Sequence, residues 1–239
     1  MMKTDLPSMD NFIALGMKQE IFVALARSTV IGLQPFYTLY QKISTFYEPE
    51  EQWEIFCISG ELHAIEYAVK NYLNGNWFAV TKKNGTTILQ LAAMSNNDET
   101  IVWLMQKGLK VDALDSENRT ACHYAAMVGA FKTLRLLLKR HPFPQATDRS
   151  RNTILHHSAR AGSVVCMQIA YSFYVSPISR NADGRNALHL AAFSGNPAAM
   201  WLAYLRGARS SSDHWGMGVV DCAKSSGNLE AIQKATVFS

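Results

Sequence analysis

The sequence has few of the features that disulfide frameworks, metal sites and membrane spans require. Its 239 residues include only four cysteines, which lie far apart and form no CxxC pair. No apolar run approaches the roughly 20 residues that a bilayer-spanning helix needs, and the opening MMKTDLPSMD lacks the apolar core of a secretory signal. We therefore expect a cytoplasmic protein with reduced thiols, no metal and no membrane association.

Catalytic signatures are also missing. The sequence contains no GxxxxGK(S/T), GxSxG, GxGxxG or HExxH pattern, and Gly216-Met217-Gly218 alone is too weak to indicate a phosphate loop. We therefore expect no enzymatic activity, no catalytic residue and no cofactor.

The charge balance is mildly basic. A net charge of +4 permits an acidic partner but falls short of the strongly basic character of nucleic-acid-binding domains. We expect no nucleic-acid partner; the alternative, nucleic-acid binding through a basic groove, predicts an affinity that falls steeply with salt.

What the sequence does contain is a repeat with a period of 33 residues. Asp183–Gly195 reads DGRNALHLAAFSG, and three earlier stretches align with it, namely Gly85–Asn96, Asn118–Gly129 and Arg151–Gly162. The residues that open the four motifs are spaced by 33 each time: Thr87, Thr120, Thr153 and Asn186. A strict period of this length indicates stacked supersecondary units.

A 33-residue unit with a T-P-L-H-x-A-like core resembles the ankyrin repeat. The resemblance implies an all-α solenoid of helix-turn-helix units with short hairpin turns, here preceded by an N-terminal helical segment. We divide the chain into an N-terminal helical extension or cap, residues 1–50, and an ankyrin-repeat domain, residues 51–239. The domain has about six units, of which the first is degenerate and the last is a C-terminal cap: 51–81, 82–114, 115–147, 148–180, 181–212 and 213–239.

The extension has its own helical pattern. Ile13, Met17, Ile21 and Leu25 recur at every fourth residue, which predicts an amphipathic helix. Two interpretations stay open: a cap over the first repeat, or an independent module that recruits a second partner.

Two positions in each unit predict left-handed backbone. The bend between the helices falls at Gly60, Asn96, Gly129, Gly162, Gly195 and Gly227. The turn ahead of the motif falls at Gly85, Asn118, Arg151, Gly184 and Gly216. Glycine and asparagine tolerate positive φ but arginine does so poorly, which makes Arg151 the one locally inconsistent residue.

Three histidines occupy the same position of the repeat: His123, His156 and His189. No second ligand type converges on them at the short spacing of a zinc site. We expect each imidazole to hydrogen-bond the adjacent turn, with the Thr120 and Thr153 hydroxyls completing the network. The cysteines fall on repeat core positions, where they are expected to be small buried hydrophobes.

The resemblance also implies where a partner would bind. Ankyrin-family proteins usually bind other proteins through hairpin tips and the exposed ends of first helices, on the concave side. Carried over to this sequence, the candidate partner-binding residues are Lys83, Met94, Arg119, Met127, Arg149, Arg160, Asp183, Arg185, Phe193, His214, Trp215 and Met217.

These tips and helix ends carry five basic side chains against two acidic ones, Glu117 and Asp183. The apolar side chains expected to be exposed among them are Met94, Met127, Val128, Phe193, Trp215 and Met217. Arginine, tryptophan and methionine are enriched in interfaces, so we expect a protein partner with an acidic and hydrophobic segment. The alternative is a drifted surface with merely solvated arginines, and Trp215 could instead pack beneath the C-terminal cap.

These features predict a monomeric, non-enzymatic interaction scaffold or adaptor. The alternative is a bacterial secreted effector that engages a host protein in the host cytoplasm, an idea that the degenerate repeats, the unrelated helical head and the short polar tail allow.

Overall fold

The computed structural model describes residues 49–80, 84–140 and 143–238. These residues form six helix pairs and no β-strand; an isolated antiparallel bridge joins Val80 to Thr87. The fold is therefore all-α, as predicted. The N-terminal extension and its predicted amphipathic helix lie outside the described residues, except for Pro49 and Glu50, which begin the first helix.

Each pair consists of a shorter or equal first helix, a tight bend and a second helix. The first helices are α1 (Pro49–Ser59), α3 (Ile88–Ala92), α5 (Ala121–Val128), α7 (Ile154–Arg160), α9 (Ala187–Phe193) and α11 (Val219–Ser226). The second helices are α2 (Leu62–Tyr72), α4 (Asp98–Gln106), α6 (Phe131–Leu138), α8 (Val164–Ser172), α10 (Pro197–Leu205) and α12 (Leu229–Thr236). A 3-10 turn, Ala93–Ser95, extends α3.

The pairs stack in two layers. Each first helix contacts the next first helix, and from α4 onward each second helix contacts the next second helix. Fully buried alanines, such as Ala125, Ala126, Ala191 and Ala192, allow the first helices to approach closely. Because every second helix leaves its first helix through the same kind of bend, the second helices run in one direction and end along one edge of the stack.

The six bends confirm the predicted left-handed backbone, with φ between 60° at Asn96 and 76° at Gly129. At Gly195 a second constraint applies, because a Cβ there would lie 2.9 Å from the Ser226 Oγ of the next pair. Glycine is therefore required at this bend both for its φ and for the close approach of the following unit.

A buried acid or amide closes each of the four hairpins ahead of α5, α7, α9 and α11. Asp115 Oδ1, for example, accepts hydrogen bonds from the backbone N–H groups of Glu117 (2.9 Å) and Arg119 (2.8 Å). The equivalent residues are Asp115, Asp148, Asn181 and Asp213. Their role was not predicted, although their spacing in the sequence follows the repeat period.

Successive hairpins are also joined to each other by one backbone hydrogen bond each. Arg149 N–H donates to Glu117 O (2.9 Å), and Ala182 N–H donates to Ser150 O (2.8 Å). Ser116 N–H makes the same bond to Asn84 O at 2.8 Å. These bonds fix the distance between neighbouring hairpin tips, where the candidate binding residues lie.

The repeated histidines make the predicted local bonds and one more. Thr153 N–H donates to His156 Nδ1 (3.2 Å), which leaves the proton on Nε2, and Nε2 donates to Arg185 O of the next pair (3.2 Å). His123 and His189 bond Ala146 O and Ser211 O in the same way. Each histidine therefore caps its own helix and ties it to the following unit.

In two other units a different side chain occupies the histidine position of the repeat. Gln90 replaces histidine in α3: its Oε1 accepts from Thr87 N–H (2.7 Å), and its Nε2 donates to Ala113 O and Arg119 O, both at 2.8 Å. In the last described unit Asp221 accepts from Gly218 N–H (3.2 Å). A carboxylate has no proton to donate onward, and here it caps only its own helix.

Arg151 is confirmed as the inconsistent turn residue, with φ of 61° in a position that glycine or asparagine fills in the other turns. We expect Arg151→Gly to raise the free energy of unfolding by about 1 kcal/mol, because the left-handed backbone penalty disappears. Urea denaturation measures this change. Arg149→Gly is the control, since the same substitution two residues earlier removes no such strain; equal effects of the two would contradict the assignment.

Burial lowers the pKa of His156 to about 4, below the value of about 6.5 for an unfolded chain. The unfolded state therefore binds the proton more tightly, and stability falls as the pH drops from 6.5 to 4. His156→Gln should keep both hydrogen bonds, as Gln90 does, and reduce this loss by on the order of 2 kcal/mol. Denaturation series at several pH values test this, with His63→Gln at an exposed site as the control that keeps the full acid sensitivity.

Candidate partner-binding site

Four of the predicted side chains form a continuous stack across three helix pairs. The Arg185 guanidinium lies 4.7 Å from the Phe193 ring centroid and 5.1 Å from that of Trp215. Arg160 of the preceding pair reaches Phe193 at 5.9 Å. Cations over aromatic faces attract the ring electrostatically, so the stack holds its aromatic members in place.

Polar contacts fix Arg185 at the centre of this stack. Its Nε lies 2.8 Å from Asp213 Oδ2 and its Nη1 lies 3.5 Å from Asp183 Oδ2. Its Nη2 is 3.9 Å from Met217 Sδ. The structure thus brings together six of the twelve candidates, which we name the Arg185 cluster: Arg160, Asp183, Arg185, Phe193, Trp215 and Met217.

The carboxylate opposite Arg185 is a strongly held anion. The Asp213 side chain has no exposed surface, and burial acts to raise its pKa, but hydrogen bonds from Met217 N–H, Arg185 and Trp215 N–H outweigh burial and lower the pKa. Arg185 and Asp213 belong to neighbouring units. Their ion pair therefore joins the fifth helix pair to the sixth.

Trp215 is the most exposed apolar member of the cluster, with 66% of its surface accessible. Its backbone N–H donates to Asp213 Oδ1 at 2.9 Å, which holds the hairpin tip in place. The alternative in which Trp215 packs beneath the C-terminal cap is therefore wrong. Phe193 and Met217 are half-buried.

Two apolar residues are not where the sequence placed them. Met94 and Val128 were expected to be exposed, but only 2% and 4% of their surfaces are accessible. Met94 lies in the 3-10 turn Ala93–Ser95, which packs against α1, α5 and α6. Tightening of the last turn draws this side chain into the core. Met127 is half-buried.

Arg119 is committed to its own hairpin. Its Nε lies 2.8 Å from Asp115 Oδ2, and its guanidinium lies 5.0 Å from the Tyr124 ring, whose hydroxyl donates to the same Oδ2 at 2.8 Å. Arg119 was predicted to be a basic contact residue, and its pairing with Asp115 was not predicted. The candidate face is therefore less basic than expected from the sequence.

The remaining candidates are spread along the hairpins. Arg149 and His214 are exposed at their tips. Lys83 lies outside the described residues.

A second polar contact lies beside the fourth hairpin. His157 Nε2 is 2.9 Å from Asp148 Oδ2, and the His157 ring stands edge to face with His123 at 5.6 Å. Burial acts to raise the pKa of Asp148, but the His157 contact and bonds from Asn152 lower it to about 2. The described residues hold no group of three or more His, Cys, Asp or Glu side chains that fits a metal ion.

The cysteines lie in the core of the described helix pairs. All four are unpaired and buried, as predicted. Burial raises the pKa of Cys166 and of Cys222 to about 11, so both thiols stay protonated near neutral pH.

A family profile for ankyrin repeats, in three copies, matches residues 55–148. The helix pairs beyond residue 148 repeat the same bends, capping bonds and hairpin bonds. Residues 55–148 are therefore ankyrin repeats. Repeats of this type generally mediate protein–protein interaction and are typically non-enzymatic. A search of curated proteins returned no significant match. No described helix is both long enough and apolar enough to cross a membrane.

The ion pair between Arg185 and Asp213 is expected to stabilise the fold. Arg185→Ala should lower the free energy of unfolding by roughly 2–3 kcal/mol, because it leaves the buried Asp213 carboxylate unpaired. Urea denaturation of the purified chain measures the change. Arg149→Ala, at an exposed tip, should change stability by less than about 0.5 kcal/mol; a loss at Arg185 no larger than this would argue against a structural ion pair.

Proposed function

We propose that the chain is a non-enzymatic scaffold or adaptor, and that a partner protein binds it across the hairpin tips and first-helix ends of the fourth to sixth helix pairs. The observation that carries this proposal is Trp215, which is exposed and yet stacked on a guanidinium that two carboxylates hold. A large aromatic side chain that is already ordered loses little freedom on binding, as expected of an interface anchor.

Charge around this anchor favours an acidic partner. Arg149 and Arg160 are exposed and make no ion pair with a described residue, whereas the Arg185 charge is balanced by Asp183 and Asp213. The cations available to a partner therefore flank an apolar centre. A segment that carries hydrophobic side chains between carboxylates complements this pattern.

The proposed site is narrower than the sequence suggested. Arg119 binds Asp115 and Met94 is buried, which removes two contacts from the second and third pairs. The apolar anchors Phe193 and Trp215 lie in the fifth and sixth pairs, with Arg160 beside them. We further propose a cytoplasmic location, in keeping with four cysteines that are unpaired.

The test is affinity purification of the intact chain with quantitative mass spectrometry, repeated with Trp215→Ala and with Arg160→Glu. Leu229→Ala and Lys132→Glu are matched controls, because they make an apolar truncation and a charge reversal at exposed positions outside the cluster. We expect the wild type and both control variants to retain the same partner proteins. Trp215→Ala should lose these proteins.

A purified partner then allows affinities to be compared. Trp215→Ala should weaken binding by about tenfold or more, the effect of losing a hot-spot side chain. Arg160→Glu should weaken binding most at low salt. Retention of every partner by both cluster variants, with circular dichroism showing intact folds, would refute the proposed site.

A further inference from the structure

A second surface lies where the second helices end, and it carries a large net positive charge. It consists of the segments that lead from each second helix to the next hairpin: residues 73–80, 107–114, 139–147, 173–180, 206–212 and 237–238. We name this surface, together with Leu205 at the end of α10, the basic edge; residues 141–142 are outside its described part. Its basic residues are Lys107, Lys110, Lys139, Arg140, Arg180, Arg206 and Arg209.

The basic edge is far from electrically neutral. Its seven basic residues face a single acidic one, Asp112, so its net charge is +6 against +4 for the whole chain. None of the seven makes an ion pair with a described residue. This contrasts with Arg119 and Arg185 on the candidate face, which are both ion-paired.

Local structure explains why cations are tolerated here but does not cancel their charge. Lys107 lies 4.7 Å from the Trp103 ring, Arg206 lies 5.3 Å from that of Tyr171, and Arg209 lies 5.2 Å from that of Tyr204. Rings attract cations without neutralising them. The partial charge of about −0.5 at a helix C-terminus is small beside the two cations that follow each of α4, α6 and α10.

Large apolar side chains project from the same edge. Six of them are between 61% and 86% exposed: Phe78, Phe143, Tyr174, Ile178, Leu205 and Val237. They follow or end every helix pair except the second, so they are distributed along the edge. A soft, continuous surface can accommodate side chains that are distributed in this way.

Tyr174 is the most unusual of these residues. Its φ of 60° lies in the left-handed region, at the position that Gly108 and Gly207 occupy in other pairs. A side chain there strains the backbone, and this ring is 86% exposed, so packing within the chain does not offset the strain. A strained and exposed aromatic residue is a reason to look for an external contact.

We propose that the basic edge binds an anionic lipid membrane surface. Lysine and arginine are attracted to the negative charge of such a surface, and tyrosine favours the boundary between headgroups and acyl chains. The spacing of the apolar residues suits a continuous interface better than a groove-bound acidic peptide. Binding would be peripheral, since no described helix can span a bilayer, and it departs from the sequence-based expectation of no membrane association.

The experiment is co-sedimentation of the intact chain with phosphatidylcholine vesicles that contain or lack phosphatidylserine. The wild type should bind only the anionic vesicles, and less tightly as salt increases. Lys139→Glu with Arg140→Glu should weaken binding by at least about tenfold. Tyr174→Gly should weaken it severalfold without loss of fold, because glycine relieves the backbone strain.

Arg149→Glu with Arg151→Glu is the matched control: it changes the net charge equally, at exposed positions of a hairpin tip. It should leave vesicle binding within about twofold of the wild type. Equal losses in both double variants would overturn the assignment to this edge. Failure of the wild type to bind anionic vesicles, or binding to polyglutamate in their place, would overturn the assignment to lipid.

Discussion

The stack depends on a buried side chain that accepts a hydrogen bond from its own unit and donates one to the next. His123, His156 and His189 fill this role, and Gln90 fills it in α3. A side chain with one acceptor and one donor on opposite sides satisfies two backbone groups that would otherwise be buried unpaired. This bond acts together with the backbone bonds between hairpin tips, and both set the spacing of the candidate face.

The sequence predicted what is local and periodic. The left-handed bends, the strained Arg151 and the capping histidines each follow from the demands of a few consecutive residues, repeated at a constant interval. The burial of Met94 was not predicted, because it depends on a single 3-10 turn at the end of a short helix. Carrying binding positions over from one repeat to the next assumes that all first helices end in the same way. Helix α3 ends differently, in a 3-10 turn.

The ion pair between neighbouring units was also not predicted from the sequence, and it affects the candidate site more than the burial of Met94 does. Arg119 and Arg185 occupy the same position of the repeat, yet Arg119 pairs with Asp115 of its own hairpin and Arg185 pairs with Asp213 of the next. The difference follows from Asn181, which stands where Asp115 stands and carries no charge. With no acid at this position of its own hairpin, Arg185 makes its shorter ion pair with Asp213 of the next hairpin (2.8 Å) and a longer one with Asp183 (3.5 Å). The pairing of Arg185 can be predicted from the sequence only once Asp115, Asp148, Asn181 and Asp213 are recognised as equivalent positions of the repeat.

This pairing divides the cations of the chain into two classes with different physical roles. Paired arginines such as Arg185 hold hairpins together and expose little net charge, so in the binding mode that we propose the main contact is the exposed apolar surface of Trp215. The net charge of +4 and the +6 of the basic edge leave −2 for the rest of the chain. The long-range field therefore originates at the edge, and a negatively charged surface would orient the molecule by that edge before any short-range contact forms.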